Sequence, residues 1–196
     1  MTMTRADKSR LLYALAILLA GGIGLAVSWY FGFRPSTLIV IPILLIIPGR
    51  IPALLWREFY AGQRAMQLGD HGLAMASYIT FLEKMRARPW LKRLIYVKWG
   101  IHTWDIEAMA LNNLGSTFVE KGEPQQAIRW YEAALAVDPE YGAPYANLAV
   151  IGYARGAESE ATRLLDRAHA LGNRHMTHVA ARERGAILRS KANLAE

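Results

Sequence analysis

Five histidines are the side chains best suited to proton transfer or metal ligation: His71, His102, His169, His175 and His178. His175 and His178 are three apart and share a face if that stretch is helical. A metal ion there needs another ligand, so a solvated or capping role is expected of the pair. The chain has no cysteine, which removes thiolate zinc sites, thiol catalysis and disulfides. No P-loop, dinucleotide fingerprint, G-x-S-x-G or H-E-x-x-H is present. Gly21, Gly22 and Gly24 sit in an apolar run, where phosphate binding is implausible. Glu158 and Glu160 open a helix with basic residues behind them, which suits the helix dipole better than paired acid catalysis. No catalytic residue, cofactor or metal is therefore expected, and the chain is read as non-enzymatic.

What must position any binding residue is more legible. Residues 11–49 contain one charge, Arg34. A helix of about 20 apolar residues spans a bilayer. Residues 11–33 meet that length, and residues 35–56 do so less cleanly, with Arg50, Pro48 and Pro52 near their end. Trp29, Tyr30, Phe31 and Phe33 gather before the break Gly32–Arg34–Pro35–Ser36, a pattern suited to a lipid–water interface. The expectation is a basic cytoplasmic tail over residues 1–10, then a transmembrane helical hairpin over 11–56. Arg5, Lys8 and Arg10 place both termini in the cytoplasm by the positive-inside rule. A cleaved signal peptide fits less well, because no polar exit follows the run. Ala20, Gly24 and Ser28 lie four apart and permit close helix packing, within the hairpin or in a homo-oligomer.

Residues 57–196 read as helical throughout. Leu111, Leu114, Gly115, Phe118, Gly122, Ala127, Tyr131 and Ala134 have counterparts, shifted by 34, in Tyr145, Leu148, Ala149, Gly152, Gly156, Ala161, Leu165 and Ala168. Gly152 is the awkward member, since a large side chain is wanted there. A degenerate earlier copy carries Gly62, Gly69, Asp70, Ala74 and Tyr78. Small residues let two helices cross closely, Tyr131 fills between them, and Pro124 suits the first turn of a helix. Asp138–Pro139 ends that helix. Residues 176–194 make a more polar helix, as a solenoid cap should be.

This spacing resembles the tetratricopeptide repeat family over roughly residues 55–175, with residues 108–141 matching every signature position but Leu111. The resemblance implies an all-α solenoid of about three helix pairs with a capping helix. It also implies a concave groove lined by the first helix of each pair. By alignment the lining falls on Phe59 and Gln63, on Met109, Asn112, Asn113, Ser116, Val119 and Glu120, and on Ala146, Asn147, Val150 and Tyr153. Asn113 matches one position of the family's carboxylate clamp, but Phe59 and Ala143 stand where cations are needed, so a clamp is not expected.

An insertion at about residues 86–104 interrupts the repeats. Residues 84–104 hold six basic residues and no acid, among aromatic ones. Three readings compete: an elongated repeat helix, an interfacial element on anionic lipid through Lys92, Arg93 and Trp99, and a nucleic-acid surface. Nucleic acid ranks last. The net charge of +7 sits in the first 56 residues and this insertion, while residues 105–196 are slightly acidic. The composite expectation is a bacterial inner-membrane, TPR-like adaptor that holds a protein or peptide partner in its groove for the assembly of a membrane-associated complex. Its hairpin and insertion would touch lipid. The alternative is a permanent structural subunit of a membrane complex.

Overall fold

The structure, a computed structural model, describes residues 5–30, 32, 54–92, 103 and 105–193. Among these there are eight helices and no strand. They are α1 (Arg5–Tyr30), α2 (Arg57–Gln67), α3 (His71–Ala87), α4 (Ile106–Glu120), α5 (Pro124–Val137), α6 (Gly142–Ala154), α7 (Glu158–Ala170) and α8 (His178–Asn193). Helices α2/α3, α4/α5 and α6/α7 form three packed pairs, each packed on the next, and α8 turns back onto α6.

Among the described residues no helix is long and apolar enough to cross a membrane. The expectation of a multi-pass membrane protein is thereby overturned. A span needs about twenty consecutive apolar residues. Helix α1 opens on four charged residues, Arg5, Asp7, Lys8 and Arg10. Most of the second expected span, its residues 35–53, lies outside the described residues. So do the side chains of Ala20 and Ser28.

The two turns within the first two pairs are built alike. Gly69 and Gly122 take φ of 76° and 77°, the left-handed region that a side chain penalises. Each lets the chain reverse so that the next amide reaches back: Asp70 N–H donates to Ala65 O, and Glu123 N–H to Phe118 O, both at 2.9 Å. This satisfies carbonyls that the helix end leaves bare. The third pair repeats the bond, from Ala157 N–H to Gly152 O at 2.9 Å. Asp70 then caps α3 through Leu73 N–H, and Asp105 caps α4 through Glu107 N–H.

Packing within the pairs rests on the small residues that the repeat pattern singles out. A Cβ added to Gly62 or Gly115 would lie 2.7 Å from the ring of Tyr78 or Tyr131. Each tyrosine lies flush on a glycine of the preceding helix and is buried. Gly152 finds its reason here too: a Cβ there would meet Ala161 Cβ at 3.0 Å, so the last pair closes on two small residues instead of a bulky one. At the front of the solenoid Phe59 packs its ring against Tyr78 and Phe81, and Trp56 is fully buried in the same core.

Helix α3 runs 17 residues against 14 and 13 for α5 and α7, so part of the insertion is simply a longer repeat helix. A single 3₁₀ turn follows at residues 89–92, burying Leu91 and exposing Trp90. Residues 93–102 and 104 lie outside the described residues. Lys84 ties α3 back to α2, donating to Glu58 Oε2 at 2.9 Å and to Leu55 O at 2.7 Å. Burial works to raise the Glu58 carboxyl, but the hydrogen bonds from Lys84 and Arg57 outweigh it and hold the group below its ordinary value.

Two outcomes follow for stability. Gly115→Ala forces the Tyr131 ring off its seat and lowers unfolding free energy by about 1–3 kcal/mol, as overpacking does; urea denaturation followed by circular dichroism measures it. Because the folded Glu58 is the stronger acid, its pairing contributes fully above the ordinary carboxyl range and fades as pH falls through the folded value. Lys84→Met therefore costs about 1–2 kcal/mol at neutral pH, and the gap to the parent protein narrows toward acid pH in the same assay.

Candidate functional site

Helices α2, α4 and α6 lie side by side, α4 touching both of the others, and their polar residues meet on one face. The seating of the tyrosines decides what that face carries. Tyr78 reaches across so that its hydroxyl pairs with Asn113, and burial pushes that hydroxyl up to about 12 against the pull of the amide. Tyr131 Oη lies 3.2 Å from Ser116 Oγ, and burial likewise lifts its hydroxyl well above the ordinary phenol range. Both phenols stay neutral at any physiological pH and serve as hydrogen-bonding groups. One repeat further on, Asn147 Nδ2 donates to Asn112 Oδ1 at 2.9 Å. This links α6 to α4 amide to amide.

Two hollows result. The first lies between α2 and α4, holds 280 Å³, and is lined by Gln63, Met66, Gln67, Tyr78, Asn113 and Ser116. The second holds 480 Å³. It has Ser116, Val119, Glu120, Tyr131, Asn147 and Val150 on one side, and Arg184, Ile187, Leu188 and Lys191 of α8 on the other. Ser116 belongs to both, so they are successive parts of one groove, of which α8 walls the second.

The residues expected to line the groove thus divide. Gln63, Asn113 and Ser116 meet in the α2–α4 part, and Glu120, Asn147 and Val150 in the part beside α8. Phe59 does not line it and is corrected to the core: it is fully buried, edge-on to Tyr60 and Tyr78 and tilted against Phe81. An aromatic ring there gains more from those three rings than from solvent. Met109 is half-buried against the core, and Asn112 is buried. Tyr153 is buried as well, with the Arg182 guanidinium 5.3 Å from its ring centroid. Trp29 and Tyr30 stand exposed at the end of α1. Lys92, expected to face lipid, instead hydrogen-bonds Glu107 and lies 4.0 Å from Asp105. Arg93 and Trp99 lie outside the described residues.

What the sequence does not reveal is that α8 covers the groove as well as capping the core. Three residues hold it there. A Cβ on Gly185 would come within 2.8 Å of Tyr153 Cβ and 3.0 Å of Val150 O, so only glycine lets the two helices touch. The Arg189 guanidinium donates to Ala154 O at 2.5 Å and Tyr153 O at 2.9 Å, satisfying the last carbonyls of α6, where a cation also meets the helix dipole favourably. Lys191 Nζ lies 3.1 Å from Glu120 Oε2, fastening the far end of α8 to α4. The one available signal was a lone glycine inside a polar helical stretch, which marks close approach when it is kept in a helix.

Residues 108–141, which comprise most of α4, all of α5 and the turn after it, match the family model of the tetratricopeptide repeat. No curated protein is significantly similar to the chain. A tetratricopeptide repeat suggests protein–protein interaction or scaffolding, and repeats of this kind commonly bind protein partners.

Gly185→Leu should lift α8 from α6 while leaving the three helix pairs folded. An overpacking cost of about 1–3 kcal/mol placed on this one contact speeds tryptic cleavage at Arg182, Arg184 and Arg189 by about tenfold or more. Limited proteolysis with mass-spectrometric mapping measures it, and cleavage within α4 and α5 serves as the internal reference.

Proposed function

We propose that the protein is an adaptor whose α2–α4 groove binds an extended, largely uncharged segment of a partner protein. The carrying observation is the chemistry of that hollow. Gln63, Gln67 and Asn113 offer amides that donate and accept at once, and Ser116 adds a hydroxyl. An extended chain presents both N–H and C=O groups, and amides answer both where a cation or a carboxylate answers one. Met66 and Tyr78 supply the apolar seat for a side chain between these polar groups. Among the described residues no lysine or arginine lines the hollow, which supports an uncharged segment over a carboxylate-terminated one. Assembly of a larger complex is the natural use of such a surface, since an adaptor acts by holding one protein near another.

One observation favours a second reading, a permanent subunit of a multi-protein complex. Along α1, Leu11, Leu15, Leu18, Leu19, Ile23 and Leu25 are each about half exposed or more. Apolar surface of that extent is costly in water and is commonly covered by other protein. The two readings part on purification: a subunit co-elutes with fixed partners in constant ratio, an adaptor does not.

Peptide display against the full chain should select extended sequences that bind the parent protein. Gln63→Ala with Asn113→Ala should weaken them by about tenfold or more, equivalent to about 1.4 kcal/mol or one to two lost hydrogen bonds. Arg129→Ala with Glu132→Ala, on the exposed side of α5, should leave them unchanged. Fluorescence anisotropy reads all three, and equal binding by the groove variant would overturn the assignment.

A further inference from the structure

Away from the groove, α7 meets the start of α8, and three potential ligands converge there: Asp166, His169 and His178. One ligand atom from each lies within 4.8 Å of the other two. Asp166 and His169 are three apart on α7 and so share a face, while His178 is the first residue of α8. We propose that these three side chains bind a divalent transition-metal ion of the zinc type, clasping α8 to α7.

The state of the ring nitrogens carries the proposal beyond proximity. His169 Nε2 lies 2.6 Å from Met176 O. A carbonyl can only accept, so Nε2 carries the proton, and in the neutral ring Nδ1 holds a lone pair. His178 is held at its other nitrogen as well: Nδ1 lies 3.3 Å from Tyr153 Oη, which in turn lies 3.0 Å from Thr162 Oγ1. Hydroxyls can turn, so that chain can accept a proton from Nδ1 and leave Nε2 for an ion. Metal-binding histidines characteristically donate their outer N–H to a backbone carbonyl or another oxygen, which fixes the ring and raises its basicity. Both histidines have such an outer partner.

Without an ion, the position between His178 Nε2 and Asp166 Oδ1, 3.1 Å apart, is bridged by a proton. An ion there takes the Nε2 lone pair, and the displaced proton passes to Nδ1, which donates it to Tyr153 Oη. Two imidazoles and a carboxylate are ligands that zinc accepts, at about 2.0–2.2 Å, so that ligand atoms stand about 3.4 Å apart in a tetrahedron. The three ligand atoms start no more than 4.8 Å apart, and Asp166, whose side chain is 61% exposed, is able to change rotamer. Three protein ligands leave a fourth position for water. The site also lies in the last two turns of α7, where the carbonyl end of the helix favours a cation. Its consequence is mechanical: an ion here pins the first turn of the helix that walls the groove.

The test uses the full, tag-free chain. Titration with Zn²⁺ by calorimetry should give saturable one-to-one binding. Co²⁺ in place of zinc should give the visible absorption of a four-coordinate N/O site. Asp166→Asn, His169→Gln and His178→Gln, each shown folded by circular dichroism, should weaken binding by about tenfold or more. His175→Ala, in the same loop but outside the cluster, should not. Absence of saturable binding to the parent protein, or an equal loss in the His175 variant, would overturn the site. Should a ligand variant fail to fold, the stoichiometry and cobalt spectrum of the parent protein decide alone.

Discussion

A tyrosine lying flush on a glycine is the contact on which the rest of this structure depends. Gly62 with Tyr78, and Gly115 with Tyr131, leave no room for even one carbon. The contact sets how closely the two helices of a pair approach. It also sets where the phenol emerges, and both hydroxyls come out on the concave face beside Asn113 and Ser116. Core packing and groove chemistry are therefore one arrangement seen from two sides. The last pair lacks the tyrosine and closes through Gly152 against Ala161. Its contribution to the groove is correspondingly different: an asparagine, Asn147, bonded to Asn112 of the pair before it.

Helix α8 divides the groove into a part this chain walls itself and an open part between α2 and α4. Its hold is specific, through Gly185 on α6, Arg189 on the α6 carbonyls and Lys191 on Glu120. At one end the groove takes a helix of this chain itself. At the other end it is lined by neutral amides, which ask for backbone more than for charge. The metal clasp at the first turn of α8 would stiffen that division without touching the open part.

Much of the solenoid was legible because the physics of close helix packing writes itself into spacing. Gly115, Tyr131 and Ala134 announce a crossing at fixed separations, and Gly122 announces a turn. The degenerate first copy was found by the same glycine and tyrosine. Other features were hidden for identifiable reasons. Phe59 sits at a lining position by alignment, yet three neighbouring rings draw it inward. Helix α8 reads as a cap from its polarity alone; that it also walls the groove depends on a backbone approach at Gly185 that composition does not show. The apolar run after Leu11 suggested a spanning hairpin, and no described helix proved long and apolar enough for one. His175 and His178 drew attention as a pair, but the cluster unites His178 with Asp166 and His169 from another helix, a juxtaposition made by the fold.

The central claim is that the open part of the groove, between α2 and α4, is where a partner segment binds. The most direct measurement is a nuclear magnetic resonance titration of the labelled chain with a display-selected peptide, following backbone and side-chain amide signals. The account predicts that Gln63, Gln67 and Asn113 shift together and saturably, while Asn147 and the α5 surface around Arg129 and Glu132 stay still. Shifts confined to the α5 surface or to α1, with those three amides unmoved, would contradict it.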